Sequence, residues 1–306
     1  MTSRTEDRSR AAVDQIVATF AAAQARGYVH ACPVGGAPET VEVALDADAA
    51  VSAASVIKIV FAVAFARAVC AGALDPTERV EVPAGLRIGG SGTAGFADSP
   101  IVSLRDLALS MMTVSDNAAT DIIFARVGRG AVDAVITDLG LTGTRVVTDM
   151  LGGARHVALE LRFPDLHDLD ARLANADPAS VRALDWLDPA HSNAMTPRDA
   201  TTLLRAIWTD QAAPPEGCAS VRRMMAQQQN TQRLASGFAS DVALAGKTGT
   251  LPTVRNEVGV ATYPDGHAYA VSVFTRTESL ADRNAPLDAA IGAAASIAVA
   301  ASRFRR

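Results

Sequence analysis

Two lysines are candidates for chemistry in this sequence because the residue is used so rarely. Lys and Arg together number 28, yet Lys58 and Lys247 are the only lysines. Arginine stays protonated at any useful pH, whereas a lysine can lose its proton when it is desolvated. The sequence therefore keeps lysine at two positions where a titratable or compact cation is useful.

Lys58 interrupts the apolar run VSAASVIKIVFAVAFARAV, three residues after Ser55. On a helix this spacing places both side chains on one face, with Ser55 near the helix N-terminus. A serine becomes nucleophilic when a neighbouring base takes its proton, and burial lowers the pKa of a lysine so that it can be that base. The alternative interpretation is a lysine whose stem packs while its ammonium group reaches water.

Two further motifs follow the Ser55–Lys58 pair in the sequence. Lys247 lies in AGKTGT at the end of a β-rich run, which offers a cation, two hydroxyls and an uncluttered backbone at Gly249. Between the lysines lies the tripeptide Ser115-Asp116-Asn117. Each motif alone could be incidental, but all three occur in the order S-x-x-K, S-D-N, K-T-G.

This motif set is that of class A β-lactamases and penicillin-binding proteins. The sequence resembles class A-like serine hydrolases over about residues 8–303. The resemblance is carried by SLRDLALSMMTVSDNAATDIIFARVG, LDPTERVEV, MTPRDATTLL and GKTGTLPTVRNEVGVATYPDG. It implies a covalent acyl-enzyme mechanism and no cofactor.

The resemblance implies a role for each matching residue. The catalytic residues would be Ser55, Lys58, Ser115 and Lys247, and the substrate-binding residues Asn117, Thr248, Gly249, Thr250 and Arg255. Ser55 would attack a carbonyl, Lys58 would be its base or would hold a water that is, and Ser115 would relay a proton to the leaving group. Arg255 has an equally good alternative as an exposed strand residue, and Asp116 is expected to hold its loop.

Hydrophobic periodicity and turn residues predict the helices and strands that position these residues. Helices are predicted over 6–26 (ending at Gly27), 53–72, 103–112, 117–127, 130–139, 197–209 and 284–303. Strands are predicted over 28–34, 40–47, 242–250, 254–263 and 267–276, with turns at GGAPE and PDGH. Residues 73–102 are predicted to be irregular, and residues 140–196 show no regular period.

The expected fold is α/β and class A β-lactamase-like. An antiparallel five-stranded sheet would form from the N- and C-terminal segments, flanked by helices, with an all-α lobe inserted. We predict one catalytic domain over residues 1–306, with a sheet lobe of about 1–50 plus 212–306 and a helical lobe of about 51–211. A substrate cleft is expected between the lobes.

One departure from the family concerns deacylation, the step in which water hydrolyses the acyl-enzyme. Class A β-lactamases carry a Glu-x-x-x-Asn pattern on an Ω-shaped loop, and that Glu activates the deacylating water. Residues 145–195 contain no such pattern, and Glu160 is their only glutamate. Glu160 lies in an ordinary amphipathic stretch, and Asp165, Asp168 and Asp170 are expected in a solvated loop. Acylation is therefore expected to be intact and deacylation weak.

Composition excludes several other classes of protein. The net charge is −5 without a basic block, and aromatic residues make up 5%, so no nucleic-acid partner is indicated. Three widely spaced cysteines and five histidines form no metal-ligand spacing, so no metal is expected. No membrane partner is predicted. The absence of a leader pattern predicts a cytoplasmic protein if Met1 is the true start.

The leading functional hypothesis is a serine acyl hydrolase of the β-lactamase type that is acylated at Ser55 by a β-lactam or a related cyclic amide or ester. Its partner would be a small molecule with a carbonyl and a carboxylate. The first alternative is a cytoplasmic esterase, amidase or transacylase of small-molecule metabolism with the same nucleophile. A lesser alternative is a non-catalytic relative that only binds a ligand.

Overall fold

Both ends of the chain contribute strands to one central sheet. The computed structural model describes residues 2–35, 41–89, 91–166 and 168–303. The strands are β1 Ala25–Pro33, β2 Val43–Leu45, β3 Val51–Ser52, β4 Arg79–Glu81, β5 Ile101–Ser103, β6 Ala194–Met195, β7 Ala243–Leu251, β8 Val254–Thr262 and β9 Ala268–Thr277. The helices are α1 Thr2–Ala22, α2 Lys58–Cys70, α3 Leu104–Thr113, α4 Asn117–Val127, α5 Arg129–Asp138, α6 Met150–Glu160, α7 Leu169–Asn175, α8 Pro178–Arg182, α9 Pro197–Trp208, α10 Pro215–Met225 and α11 Ala285–Arg303.

The central sheet has the order β2-β1-β9-β8-β7, and every neighbouring pair is antiparallel. The register places Val29 of β1 opposite Val273 of β9, so the N-terminal hairpin pairs directly with the C-terminal strands. Gly266, with φ +83°, makes the tight turn between β8 and β9 that the PDGH motif predicts. The five-stranded antiparallel sheet confirms the predicted architecture.

Two apolar cores lie on opposite faces of this sheet. On one face α1 and α11 cover the strands, and Ile16, Phe20, Val271 and Ile291 pack together. Within the described residues, α11 is the one helix whose length and apolar composition would suffice to cross a membrane. It instead lies along the sheet with its apolar residues in this core, so its composition is explained by packing.

On the other face α2 is the central helix of a larger core, which explains the apolar run around Lys58. Residues 58 to 66 are all buried, and α3, α4, α5 and α10 surround the helix. A helix that is enclosed on every side needs apolar residues around its whole circumference rather than along one stripe. A polar side chain on such a helix must find partners inside the protein.

Four predictions about elements need correction. Residues 73–102, predicted to be irregular, contain β4 and the first residues of β5, which form an antiparallel pair. The first helix ends at Ala22, and Gly27 lies inside β1, where a Cβ atom would come within 2.1 Å of the Phe20 ring. The predicted 53–72 helix begins with a 3₁₀ turn, Ala54–Ile57, before α2. Residues 140–196 hold α6, α7 and α8, which periodicity did not reveal. Most of the predicted GGAPE turn lies outside the described residues.

Candidate active site

A strained turn presents Ser55 at the start of α2. Ser55 lies in the 3₁₀ turn Ala54–Ile57, and Ala54 has the left-handed φ of +48° that a residue with a Cβ rarely adopts. The preceding residues are fixed on two sides, because Ala53 N donates to Asn193 O (2.8 Å) and Asn256 Nδ2 donates to Ser52 O (3.0 Å). Such strain persists where surrounding contacts over-determine it, and it is concentrated at functional sites.

Lys58 is fully buried and binds the SDN segment. Its Nζ donates to Ser115 O (2.7 Å), to Asn117 Oδ1 (2.8 Å) and to Ser115 Oγ (3.2 Å). Its ammonium group therefore does not reach solvent, which excludes the alternative in which only the stem packs. Ser115 itself has a left-handed φ of +60°, which is the second strained residue of the site.

Lys247 reaches the same hydroxyl from the opposite side. It is also fully buried, on β7, and its Nζ donates to Ser115 Oγ (3.0 Å) and to Thr248 O (2.9 Å). Ser115 Oγ thus lies between the two lysine amines, one from the helical face and one from the sheet. The three sequence motifs therefore meet at one hydroxyl group, although residues 58 and 247 are far apart in the chain.

Burial changes the protonation of both lysines. It lowers the pKa of Lys58 to about 7, although the Asp121 and Asp116 carboxylates oppose that change. It also lowers the pKa of Lys247 well below the usual value, and the charge of Lys58 lowers it further. Because two cations beside one hydroxyl repel each other, the pair favours states in which one amine is neutral. A neutral amine is the form that can accept a proton.

Asp116 holds the loop, as the sequence predicts, and does not point at the cleft. Its carboxylate is fully buried and accepts hydrogen bonds from Thr93 N (2.8 Å), Ser110 Oγ (2.9 Å) and Ala119 N (3.0 Å). It therefore caps α4 and ties the 87–96 loop to the SDN motif. Asn117, the next residue, lines the cleft and orients its amide through Lys58.

The cleft beside Ser55 has a volume of about 750 Å³. Four of the predicted residues line it directly: Ser55, Asn117, Thr250 and Arg255. Lys58, Ser115 and Lys247 connect to it through hydrogen bonds rather than by lining it. The Thr248 hydroxyl has a contact of 3.5 Å with Gln228 Nε2, and its predicted part in holding a carboxylate remains a prediction.

Arg255 lines the cleft, but its charge is already engaged. Its guanidinium donates to both Asp288 oxygens (Nε–Oδ1 2.9 Å, Nη2–Oδ2 3.0 Å). Arg255 could bind a substrate carboxylate directly only if Asp288 shared or released the guanidinium.

Arg233 is a candidate that the sequence analysis missed. It is buried, pairs with Asp288 (2.8 Å), and donates from Nη2 to Thr250 Oγ1 (2.9 Å). Arg233 and Arg255 therefore share the carboxylate of Asp288, and the buried Glu257 carboxylate also interacts electrostatically with Arg233. No motif marks Arg233, which is one of 26 arginines in the sequence.

Glu160 is directed away from the reaction centre. At the C-terminal end of α6 its carboxylate accepts hydrogen bonds from Asp185 N (2.8 Å) and Trp186 N (3.4 Å) and pairs with His156 (2.9 Å). It does not line the cleft. Glu160 therefore anchors the 3₁₀ turn Asp185–Leu187, which is a structural task.

The three aspartates predicted for a solvated loop are exposed, as expected, although Asp170 lies in the first turn of α7 rather than in a loop. Asp165 pairs with Arg172 (2.9 Å), and Asp168 precedes α7. Asp170 lines the outer part of the cleft. Within the described residues, no group of three or more His, Cys, Asp and Glu side chains could hold a metal ion.

Gly249 sets the distance between β7 and the nucleophile turn. A Cβ atom at this position would lie 2.7 Å from Ala53 O and 3.2 Å from Ser55 N. We expect Gly249→Ala to push the strand away from Ser55 and to slow acylation by about 10²-fold, since ångström-scale misplacement has that effect. Stopped-flow acylation by a chromogenic cephalosporin measures the loss. The control is Gly85→Ala, where a Cβ meets no atom within 4 Å. Near-native acylation of Gly249→Ala would contradict this reading of the contact.

Known proteins share this fold. A family model described as the Beta-lactamase enzyme family matches residues 10–301. The chain is 32% identical to the Beta-lactamase regulatory protein BlaB of Streptomyces cacaoi over 281 residues, covering 86% of this chain and 88% of that protein.

Solved structures agree with the family match. A β-lactamase from Sphaerobacter thermophilus DSM 20745 is 27% identical with a TM-score of 0.74, covering 95% of this chain and 96% of that one. The structure of PBP-A is 19% identical with a TM-score of 0.73 and 96% coverage of both chains, a likeness of fold. These matches confirm the predicted class A β-lactamase-like fold. The chain belongs to the Beta-lactamase enzyme family.

Proposed function

We propose that this protein is a serine acyl hydrolase that forms a covalent acyl-enzyme at Ser55. One observation carries the proposal: the buried amines of Lys58 and Lys247 both donate to Ser115 Oγ, and Lys58 also donates to Asn117, which lines the same cleft as Ser55. A packing role alone does not explain two fully buried lysines, because burying an ammonium group is costly. Their placement is explained if protons must move between them.

In the proposed acylation step Ser55 Oγ attacks the substrate carbonyl. Its proton passes to neutral Lys58, directly or through a water. Ser115 then donates its proton to the departing nitrogen or oxygen and takes a replacement from protonated Lys58, which returns Lys58 to its neutral form. The shortest contacts of Lys58 run to Ser115 and Asn117 rather than to Ser55. Catalytic hydrogen bonds often tighten only when substrate binds, so this geometry is compatible with the role.

Substrate binding is assigned to the sheet side of the cleft. The N–H groups of Ser55 and Thr250 would stabilise the oxyanion, at roughly 3 kcal/mol per donor. Asn117 would hydrogen-bond the amide of the substrate. A substrate carboxylate would accept hydrogen bonds from the hydroxyls of Thr250 and Thr248, and the Arg233 guanidinium lies directly behind Thr250. The substrate class is a β-lactam or a related cyclic amide or ester. An esterase, amidase or transacylase would use the same groups with another acceptor.

A second candidate function is a β-lactam-responsive regulator that is acylated and turns over slowly. Two observations favour it. One relative, 32% identical over most of its length, is named a β-lactamase regulatory protein. Among the described residues that line the cleft there is also no glutamate, and the carboxylate of Glu160 is held by the turn at Asp185 and Trp186. Both candidates require acylation at Ser55 and differ in the lifetime of the adduct.

The direct test is mass spectrometry of the intact protein after incubation with benzylpenicillin and with an activated ester. We expect one added acyl mass, which peptide mapping places on the peptide that contains Ser55. Ser55→Ala should remove the adduct and keep the fold, checked by circular dichroism. Ser52→Ala is the matched control, because Ser52 also lines the cleft but precedes the nucleophile turn. An adduct that survives Ser55→Ala would refute the assignment.

A further inference from the structure

A buried histidine lies outside the cleft and has no part in the proposed chemistry. His30, on β1, is 2% exposed and faces the start of α9 and the residue that precedes β2. Its Nδ1 lies 2.6 Å from Thr201 Oγ1, and its Nε2 lies 3.1 Å from Arg198 Nη1. The same Nε2 lies 3.3 Å from Glu42 Oε2. One ring nitrogen therefore has a hydroxyl partner, and the other faces both a cation and a carboxylate.

The contacts fix which ring nitrogen of His30 carries the proton. The guanidinium of Arg198 can only donate, so Nε2 has to accept its hydrogen bond. Thr201 Oγ1 donates its single proton to Arg198 O (3.0 Å), so it accepts from Nδ1. Two partners thus select the neutral Nδ1–H tautomer. In this state Glu42 Oε2 accepts from Arg198 Nη1 (3.0 Å) and not from the ring.

A proton taken from water by Nε2 would exchange the partner of the ring. The protonated nitrogen can no longer accept from Arg198, but it can donate to Glu42, which already lies 3.3 Å away. The imidazolium would also repel the guanidinium, which lies 3.1 Å from it. Arg198 has somewhere to go, because 39% of its side chain is exposed and Asp48 already binds it (2.7 and 3.2 Å).

The surrounding charges decide how readily His30 takes this proton. The titratable and charged groups near the ring lie on β1, on α9 and in the chain around β2: Cys32, Glu42, Asp48, Arg198 and Arg205. Burial and the charge of Arg198 lower the pKa of His30, while Glu42 and Asp48 oppose that change. Burial raises the pKa of the Cys32 thiol to about 11, so it stays neutral. The ring is therefore neutral at neutral pH.

Arg198 also fixes the chain that carries the nucleophile turn. Its N–H donates to Ala47 O (2.9 Å), and the pairing of β3 with β6 continues from there toward Ser55. Residues 47–52 and 194–198 thus form a two-stranded strap that ends just before the nucleophile turn. The Arg198 side chain fastens the outer end of this strap to β1 through the ring of His30.

We propose that His30 is a proton-operated switch that fastens the strap to β1 when the ring is neutral and releases it when the ring is protonated. The partner exchange from Arg198 to Glu42 is the movement that the proton causes. The switch lies outside the cleft, and it stands whether or not Ser55 is acylated. Mild acid should therefore loosen the strap that supports the nucleophile turn.

The first test is urea unfolding at pH 7.5 and 5.5, comparing the wild type with His30→Gln, which cannot take the proton. The unfolded chain binds that proton below the ordinary His pKa of 6.5 while the folded ring resists it, so the free energy of unfolding falls as the pH falls. The unfolding constant should rise by up to about tenfold more in the wild type than in His30→Gln. His191→Gln, at an exposed histidine, is the control and should behave as the wild type. The same pH dependence in His30→Gln would overturn the switch.

NMR tests the partner exchange in the wild type, so a poorly folded variant cannot hide the answer. Long-range ¹H–¹⁵N spectra should show the Nδ1–H tautomer of His30 at pH 8. Glu42→Gln removes an anion and should lower the pKa of the ring further, whereas Arg198→Gln removes a cation and should raise it. An Nε2–H tautomer, or shifts of the same sign in both variants, would refute the proposed exchange.

Hydrogen exchange shows whether the strap responds to the proton. After correction for intrinsic rates, the amide of Arg198, which donates to Ala47 O, should exchange faster at pH 5.5 than at pH 7.5. The acceleration should be about threefold or more larger in the wild type than in His30→Gln. His191→Gln should match the wild type. Equal acceleration in the wild type and His30→Gln would show that protonation of His30 does not reach the strap, and the switch would be wrong.

Discussion

Lys58→Arg is expected to lose acylation of Ser55 by about 10²–10⁴-fold, the usual contribution of a positioned general base. Burial lowers the pKa of Lys58 to about 7, so that a large fraction of the amine is neutral near neutral pH. An arginine at the same position stays protonated and cannot accept the Ser55 proton. The measurement is the rate of the burst with a chromogenic cephalosporin at saturating concentration.

Two further variants separate loss of the base from damage to the site. Lys58→Met keeps the length of the side chain without the amine and should lose acylation to the same extent. Lys247→Arg keeps a cation beside Ser115 and should lose less, provided that thermal unfolding shows an intact fold. Near-native acylation in Lys58→Arg would show that the titratable-base argument is wrong.

The pH profile gives a second measurement of the same prediction. Acylation requires neutral Lys58, and its pKa is lowered, so the rate should rise with pH and level off above a midpoint near 7. Stability should follow the same sign. The unfolded chain retains the Lys58 proton up to its ordinary pKa of 10.5 while the folded protein releases it near 7. Between pH about 7 and 10.5 the unfolded state therefore binds more protons than the folded state. The cost of burying the Lys58 charge disappears across this pH range, and the free energy of unfolding rises.

The candidate site was predictable from sequence to the extent that the proposed chemistry needs particular residue types at short spacings. Ser55 with Lys58, the SDN tripeptide and the KTG run are local patterns, and the structure brings all three together at Ser115 Oγ. Strands β7, β8 and β9 were predictable because continuous β-rich runs are separated by clear turn residues. In these regions local preference and the final fold agree.

Arg233 could not be predicted, because its partners are distant from it in the sequence and meet it only in the folded protein. Its partners are Asp288, 55 residues later, and the backbone and hydroxyl groups of β7 and β8. Nothing in the sequence around it distinguishes it from the other arginines. The same holds for Gly27, whose small size matters because the ring of Phe20 lies over it.

The apolar wall of the cleft escaped prediction for a different reason. α7 has seven residues and α8 has five, so neither is long enough to show a helical period. Their apolar residues become one cluster only when the short elements pack together. Helix caps were the available signal: Asp149 and Asp177 both accept a hydrogen bond from the N–H three residues later, and Pro178 occupies the first helical position.

The remaining prediction concerns the water step, where we expect a burst followed by slow turnover of β-lactams. Fast deacylation requires a base near the acyl carbonyl, and such a base contributes about 10²–10⁴-fold in rate. Glu160 is bound to the turn at Asp185 and Trp186. Asp121 accepts hydrogen bonds from Met150 N and Leu151 N (2.7 and 2.9 Å). Neither residue lines the cleft.

Pre-steady-state hydrolysis of a chromogenic cephalosporin tests this expectation. The wild type should release about one equivalent of product rapidly and then turn over slowly, with the adduct on Ser55 persisting by mass spectrometry. Glu160→Gln should give the same burst and the same slow rate, since its carboxylate lies outside the cleft, with only a change in stability from the weakened turn. An activated ester that leaves a smaller acyl group should turn over faster, because water or another acceptor can reach it.

The two candidate functions predict opposite results for this measurement. A regulator needs an adduct that outlasts the signal it reports, whereas a protective β-lactamase needs one that clears within a catalytic cycle. Fast, burst-free turnover in the wild type that is lost in Glu160→Gln would mean that Glu160 reaches the acyl-enzyme after a movement of α6, against the contacts that hold it to Asp185 and Trp186. Fast turnover that Glu160→Gln leaves unchanged would instead assign the base to a cleft-lining carboxylate, and Asp170→Asn and Asp282→Asn would identify which one.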